Sequence, residues 1–136
     1  METLVKVSPK EVVADIYAAF SRGDLPTILS HLSPNVVWDA MGKSSNIPYG
    51  GKFKGANQVP NFFAALGESF QMTDFKVDEI YQNGNVVTAY GLHKGKGVKS
   101  GVPSETIWAM RWEFNKDGQV VKYNNYFDTG AIGKSF

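Results

Sequence analysis

The stretch FKVDEIYQNGNVVTAY, residues 75–90, decides the fold of this chain. Two runs rich in β-branched and aromatic residues flank Asn83-Gly84, and such a pair between strand-like runs is the strongest short-range signal for a β-hairpin. The signal is strong because asparagine and glycine both accept the positive φ angles of the tight hairpin turn. The pattern therefore predicts strands over residues 75–82 and 85–95.

A second hairpin is predicted to join residues 105–114 to residues 119–128. Its connection, Asn115-Lys116-Asp117-Gly118, is typical of a type I turn followed by a glycine bulge. If Asn115 pairs with Gln119, the register puts one set of side chains on the pocket face, and this set is Trp108, Met110, Trp112, Asn124, Tyr126 and Asp128. The opposite face also carries large apolar groups, which favours a homodimer through the outer face of the sheet.

Three helices are predicted before this sheet. Ser8-Pro9-Lys10-Glu11 has the residues of an N-cap, a first-turn proline and a capping-box glutamate. Asp24 is predicted to cap the second helix and Asn57 the third. A short strand over residues 36–39 and a polar, glycine-rich loop over residues 41–55 separate the second helix from the third. The chain is therefore predicted to be α+β, with three N-terminal helices packed on a curved, mainly antiparallel β-sheet.

Size, charge and composition limit what such a domain does. The 136 residues are close to the commonest length of one domain, so a single domain over residues 1–136 is expected. The 14 basic and 13 acidic residues leave a net charge of +1, which argues against a nucleic-acid or membrane-surface partner. The chain has no cysteine and only two, widely separated histidines, so no metal site is predicted. Residues 1–10 lack the apolar stretch of a signal peptide, and a cytoplasmic protein is the default expectation.

Several short motifs carry a resemblance to a known family, and the resemblance covers residues 8–132. The motifs are Phe20-Ser21-Arg22-Gly23-Asp24-Leu25, Val36-Val37-Trp38-Asp39, Pro48-Tyr49-Gly50-Gly51, Phe53-Lys54-Gly55, Trp108-Ala109 and Tyr126-Phe127-Asp128-Thr129. With this order of elements the chain resembles the nuclear transport factor two-like superfamily, and within it the SnoaL-like and ketosteroid-isomerase-related proteins. The resemblance implies a cone-shaped domain with an apolar pocket at its open end, often a sheet-to-sheet dimer, and no cofactor.

Two aspartates are the predicted proton-transfer residues. Asp39 lies at about the position where ketosteroid isomerases carry their base, and Asp128 resembles in placement the acid/base aspartate of SnoaL-like cyclases. Each has a structural alternative, since Asp39 could cap the loop that follows it and Asp128 could cap a turn. The oxyanion donors of ketosteroid isomerase do not transfer to this chain, because their positions fall near Ile16, one residue from Tyr17, and on Met110.

An aromatic wall is predicted to hold the ligand, with Tyr49 of the glycine-rich loop as a candidate lid. The predicted substrate-binding residues are Tyr17, Trp38, Tyr49, Phe53, Phe62, His93, Trp108, Met110, Asn124 and Tyr126. These features predict a protein that binds a small apolar molecule and acts on it as a cofactor-free isomerase, cyclase or hydrolase through aspartate acid/base chemistry. The alternative is a non-catalytic ligand-binding or protein-interaction domain of the same fold.

Overall fold

The computed structural model describes residues 7–43 and 46–136, which form four helices and one six-stranded sheet. The helices are α1 (Pro9–Ser21), α2 (Leu25–Ser30), α3 (Val59–Ser69) and α4 (Thr129–Gly133). The strands are β1 (Leu32–Asp39), β2 (Lys52–Lys54), β3 (Phe70–Asn83), β4 (Val86–Gly97), β5 (Pro103–Phe114) and β6 (Val120–Phe127). The chain is α+β, as the sequence predicted.

The order of the elements corrects part of the prediction. Two helices precede the first strand, and the third predicted helix, α3, follows β1 and β2 of the same sheet, so only two of the three predicted helices are N-terminal to the sheet. Helix α3 begins after Gln58 instead of Asn57, and Gln58 makes no side-chain capping bond. Strand β2 lies inside the predicted loop, and α4 follows β6 where no helix was predicted. Residues 1–6 and residues 44 and 45 of the predicted loop lie outside the described residues.

Side-chain caps explain where the first two helices begin. The Ser8 hydroxyl oxygen accepts a hydrogen bond from the backbone N–H of Glu11 at 3.2 Å. The Asp24 carboxylate accepts hydrogen bonds from the backbone N–H and the hydroxyl of Thr27 at 3.2 and 2.6 Å. A helix leaves its first N–H groups without partners, so both caps stabilise the helix starts that the sequence predicted.

The sheet has the strand order β2-β1-β6-β5-β4-β3. Strands β1 and β6 pair in parallel, and every other neighbouring pair is antiparallel. The Asn83-Gly84 hairpin is confirmed, with Asn83 opposite Val86 and Gly84 at a φ of 63°. No helix in the described parts of the chain is long and apolar enough to cross a membrane.

The second hairpin begins in the predicted register and then leaves it. The Asn115 N–H donates to the Gln119 carbonyl at 2.9 Å, and Phe114 lies opposite Val120, as predicted. The register then shifts by one residue, so that Glu113 lies opposite Lys122. Val121 is therefore an extra residue in β6, which is the definition of a β-bulge.

The bulge reverses the predicted facing of the rest of β6, because side chains alternate between the two faces of a strand. Met110 pairs with Asn125 instead of Asn124, and Trp108 pairs with Phe127 instead of Tyr126. The inner face, which packs on the helices, therefore carries Trp108, Met110, Trp112, Tyr123, Asn125 and Phe127. Asn124 and Tyr126 belong to the outer face.

Two glycines let aromatic rings rest directly on the backbone of β4. A Cβ atom added at Gly91 would overlap the Trp108 ring and the Lys76 carbonyl oxygen, and one added at Gly95 would overlap the Phe70 ring. The pairing of β3 with β4 is also irregular next to these positions, between Met72 and Asp74 and between Val77 and Glu79. Bulges and glycines bend a sheet, so this edge can curve towards α1 and α3.

Candidate functional site

A cavity of about 60 Å³ lies between the helices and the inner face of the sheet. Sixteen side chains line it: Ile16, Tyr17, Phe20, Trp38, Tyr49, Phe62, Phe63, Leu66, Met72, Phe75, His93, Met110, Trp112, Tyr123, Asn125 and Phe127. None of these residues is an aspartate, glutamate, lysine or arginine. The cavity wall is therefore mostly aromatic, with histidine, asparagine, tyrosine and tryptophan as its polar residues.

Tyr17 on α1 links the helix to the sheet through its hydroxyl group. The hydroxyl donates to Met110 Sδ at 3.3 Å and accepts a hydrogen bond from Trp112 Nε1 at 3.1 Å. Burial raises the pKa of Tyr17 well above its ordinary value, because the phenolate would be desolvated. Tyr17 is thus a neutral group with both of its hydrogen-bonding roles filled inside the protein.

Trp38 lines the cavity from β1. Its ring stacks on Tyr123 with a centroid distance of 3.9 Å and meets Trp112 edge-on at 5.7 Å. The side chain is only 2% exposed, and its Nε1 atom has no hydrogen-bond partner among the described residues. A buried N–H without a partner is unusual, since most buried polar groups are paired.

His93 projects into the cavity from β4, between the two glycine positions that Trp108 and Phe70 cover. Its ring lies 6.0 Å from the Phe70 ring and 6.2 Å from the Phe127 ring. The residue is 3% exposed, and Nδ1 has no partner in the described structure. Burial lowers the pKa of His93 to about 4, so the ring is neutral at pH 7.

Asn125 on β6 is one of the cavity residues that the prediction of binding residues missed, and it is the one with an amide side chain. It is 8% exposed, lies opposite Met110 and has an Oδ1 atom without a partner in the described parts of the chain. Asparagine and aromatic residues stand at both odd and even positions of the segment Tyr123-Asn124-Asn125-Tyr126-Phe127. Alternation alone therefore does not show which of these side chains face inward. The bulge at Val121 is what brings Asn125 inward.

Tyr49 lines the cavity from the loop between β1 and β2. It is buried, and its ring meets Phe62 and Phe136 edge-on, each at 6.0 Å. Burial raises the pKa of the Tyr49 hydroxyl well above its ordinary value. Its place at the cavity agrees with the predicted wall, whereas its movement as a lid stays a prediction.

The two predicted catalytic aspartates do not line the cavity. Asp39 follows Trp38 on β1 and so points to the other face, where its Oδ1 atom accepts from the Met41 N–H at 3.0 Å. Asp128 is exposed at the start of α4, and its Oδ1 atom accepts from the Ala131 N–H at 3.0 Å. Both carboxylates make the capping contacts that the sequence offered as their structural alternatives. Their role in proton transfer stays a prediction.

The predicted binding residues divide into two groups. Tyr17, Trp38, Tyr49, Phe62, His93 and Met110 line the cavity together. Phe53 packs behind it, edge-on to Phe62 at 5.8 Å, and Trp108 stacks on Phe75 at 5.1 Å within the core. Asn124 and Tyr126 lie on the outer face because of the bulge. The predicted wall of Trp108, Tyr126 and Asp128 is therefore corrected.

No group of three or more histidine, aspartate or glutamate side chains in residues 7–43 and 46–136 is arranged to hold a metal ion. The cavity in particular contains one histidine and no carboxylate. The described residues thus offer hydrogen bonds and aromatic surface to a ligand, and they do not offer a cluster of metal ligands.

Comparison with known protein families identifies the family of this chain. The family model described as the SnoaL-like domain matches residues 13–123, and the chain belongs to this family. No curated protein sequence matches the chain.

Solved structures agree with the family. A nuclear transport factor two-like protein of unknown function from Burkholderia pseudomallei is 26% identical, with 95% of this chain and 98% of that chain covered and a TM-score of 0.84. A nuclear transport factor two-like protein from Burkholderia thailandensis is 26% identical, with coverages of 96% and 98% and a TM-score of 0.86. TerC, co-crystallised with polyporic acid, is 24% identical, with coverages of 94% and 98% and a TM-score of 0.82. The predicted nuclear transport factor two-like fold is confirmed.

Proposed function

We propose that the protein binds a small, mostly apolar molecule in the inner cavity. The observation that carries this proposal is a cavity of about 60 Å³ lined by sixteen side chains. None of them is an aspartate, glutamate, lysine or arginine, and the one histidine is neutral at pH 7. An apolar pocket with a few polar groups is the usual form of a small-molecule site, but such pockets usually measure roughly 300–1,000 Å³, so the wall of this cavity has to open around a bound molecule. His93 and Asn125 supply the polar contacts, and the aromatic rings supply the contact area.

The second candidate is a cofactor-free isomerisation, cyclisation or hydrolysis of that molecule, which membership of the SnoaL-like family favours. In this candidate Asp39 or Asp128 moves the proton. Both carboxylates accept backbone hydrogen bonds outside the cavity, so the loop or α4 has to move before either carboxylate reaches a bound molecule. Binding is therefore the proposed function, and catalysis is the second candidate.

The binding proposal is tested with toluene as a single-ring apolar probe and isothermal titration calorimetry as the measurement. Leu66→Trp fills the cavity and is expected to weaken binding by at least about tenfold, or 1.4 kcal/mol. Val98→Trp is the control, because Val98 is 53% exposed and lies outside the cavity. Asp39→Asn and Asp128→Asn are expected to leave the affinity unchanged.

Two results would contradict the binding proposal. One is the absence of any heat of binding for the wild-type protein, and the other is equal affinity in the wild type and Leu66→Trp. Loss of turnover in Asp39→Asn or Asp128→Asn, for a substrate that the protein converts, would instead establish the second candidate.

We also propose that two copies of the chain pack through the outer face of the sheet. Four large apolar or aromatic side chains on this face are exposed: Tyr81, Tyr90, Ile107 and Tyr126. Ile107 is 75% exposed, and Tyr90 and Tyr126 both lie opposite Ala109 in the neighbouring strands. A contiguous apolar patch on a sheet is typical of an interface, and a two-fold dimer buries the same patch on both copies.

Ile107→Lys is expected to weaken this dimer by at least about 100-fold, because each interface loses two buried isoleucine side chains worth roughly 1.5–3 kcal/mol apiece. Sedimentation equilibrium measures the effect. Val98→Lys serves as the matched control at an exposed valine elsewhere. A wild-type protein that sediments as a monomer at all concentrations would contradict the dimer proposal.

A further inference from the structure

Three side chains of the cavity wall carry buried polar atoms that have no partner in the described residues. These atoms are Trp38 Nε1, His93 Nδ1 and Asn125 Oδ1. Each side chain is more than nine-tenths buried, with exposures of 2%, 3% and 8%. Two other unpaired atoms, in Ser104 and Trp108, belong to residues outside the cavity lining. Most of the unpaired polar atoms of the described core are therefore gathered around one cavity.

The chemistry of these three atoms is complementary to an uncharged polar group. Trp38 Nε1–H only donates a hydrogen bond, Asn125 Oδ1 only accepts one, and a neutral imidazole nitrogen does either according to its tautomer. A hydroxyl group both donates and accepts, so it can pair with any of the three. An unpaired buried group is costly, and a ligand that pairs with it recovers this free energy.

The same wall excludes a charged ligand group. No lysine or arginine lines the cavity to pair with a carboxylate, and no aspartate or glutamate lines it to pair with an ammonium group. A charge transferred from water into such surroundings loses its hydration without gaining a counter-ion. A charged molecule is therefore disfavoured, even when its apolar part fits.

The ring geometry of the wall favours a flat ligand. Phe62 lies 4.9 Å from Phe63, and Trp38 lies 5.6 and 5.7 Å from these two rings, all in tilted or edge-on arrangements. Aromatic rings prefer such offset and edge-to-face contacts, so a further ring can extend the cluster. Met72 and Met110 adapt the wall to the exact outline of a ring, because methionine is flexible and polarisable.

We infer that the ligand of the inner cavity is an uncharged aromatic molecule that bears a hydroxyl group, and that Asn125 and Trp38 recognise this group, since β1 and β6 are neighbours and Trp38 pairs with Tyr123, two residues before Asn125. The inference rests on the proposed function, since it names the chemical class of the molecule that the cavity binds. Asn125 acts as a specificity-determining residue, and the aromatic rings supply affinity that does not depend on the hydroxyl group.

The test compares three single-ring compounds of similar outline at pH 7 by isothermal titration calorimetry. These are phenol, toluene and the anion benzoate. We expect phenol to bind about tenfold more tightly than toluene, the effect of one good hydrogen bond, and at least about tenfold more tightly than benzoate. If toluene binds and phenol binds no more tightly, the inference is wrong and the binding proposal stands. If neither binds, both fail.

Asn125→Leu removes the acceptor with little change in volume and is expected to abolish the preference for phenol over toluene. Asn124→Leu is the matched control, because Asn124 is the adjacent residue, is equally buried at 8% and belongs to the outer face. The control is expected to keep the tenfold preference. An equal loss of preference in both variants would overturn the inference.

A spectroscopic readout on the unaltered protein keeps the test decisive if Asn125→Leu does not fold. Phenol is expected to shift the indole N–H proton resonance of Trp38 further than toluene does, because both rings affect the resonance but only phenol adds a hydrogen bond. The indole N–H of Trp112 is the internal reference, because it already donates to the Tyr17 hydroxyl. Identical spectra with the two compounds would also overturn the inference.

Discussion

Replacing Gly91 with alanine is expected to lower the free energy of unfolding by about 3 kcal/mol, the upper end of the usual cost of overpacking a core. The new methyl group would overlap both the ring of Trp108 and the carbonyl oxygen of Lys76. Trp108 cannot retreat easily, since its ring is stacked on Phe75 at 5.1 Å with an interplanar angle of 9°. Either the stack or the β3–β4 pairing has to move.

Urea unfolding followed by tryptophan fluorescence measures this change. Gly67→Ala is the matched control, because Gly67 lies within α3 and a Cβ atom there meets nothing within 4 Å. That variant is expected to gain roughly 0.5–1 kcal/mol, since alanine is the better helix former. Equal stabilities for Gly91→Ala and the wild type would show that this edge of the sheet is not closely packed.

Acidification is expected to destabilise the protein by roughly 3 kcal/mol between pH 7.5 and pH 4 through His93 alone. The pKa of His93 is lowered by burial from 6.5 to about 4 in the folded protein. The unfolded chain therefore takes up a proton on His93 near pH 6.5, while the folded protein resists it until near pH 4. The contribution to stability is complete above pH 6.5 and is lost as the pH falls towards 4.

His93→Phe is expected to remove this part of the pH dependence, because phenylalanine fills the same space without titrating. Urea unfolding of the wild type and the variant at pH 7.5 and at pH 4 gives the difference. His31→Gln is the control, since His31 lies at the surface in contact with Asp15, with its Nε2 atom 2.7 Å from the carboxylate. A His93→Phe protein that loses stability in acid as steeply as the wild type would contradict the burial of His93 as a neutral group.

The features that sequence reasoning predicted well are those that depend on a few adjacent residues. The Asn83-Gly84 turn and the caps at Ser8 and Asp24 each depend on local backbone geometry and side-chain chemistry. The order of the elements was also enough to recognise the SnoaL-like family. Strand β2 was missed because three residues inside a glycine-rich loop show too little alternation to indicate a strand.

The candidate site depended on a feature with no clear local signature. One extra residue in β6, Val121, exchanges Asn124 for Asn125 on the inner face and moves Tyr126 away from the cavity. Valine is common in regular strands, so the residue type at this position does not indicate a bulge. His93 had a detectable signal, since Gly91 and Gly95 lie two residues to either side of it on the same face and leave space for neighbouring rings.

The position of β6 between β1 and β5 also has a consequence for how the protein is made. Strand β1 joins the meander of β3, β4 and β5 only through β6, which is synthesised after the other five strands of the sheet. A nascent chain that lacks residues 120–127 can form the β3–β4–β5 meander, but its β1 has no β6 edge to join. Trp38 then lacks Tyr123, the ring on which it stacks in the finished fold. Because such long-range pairing is slow, we expect the cavity to close only after β6 has been synthesised, and the chain without β6 to be the form most prone to aggregation.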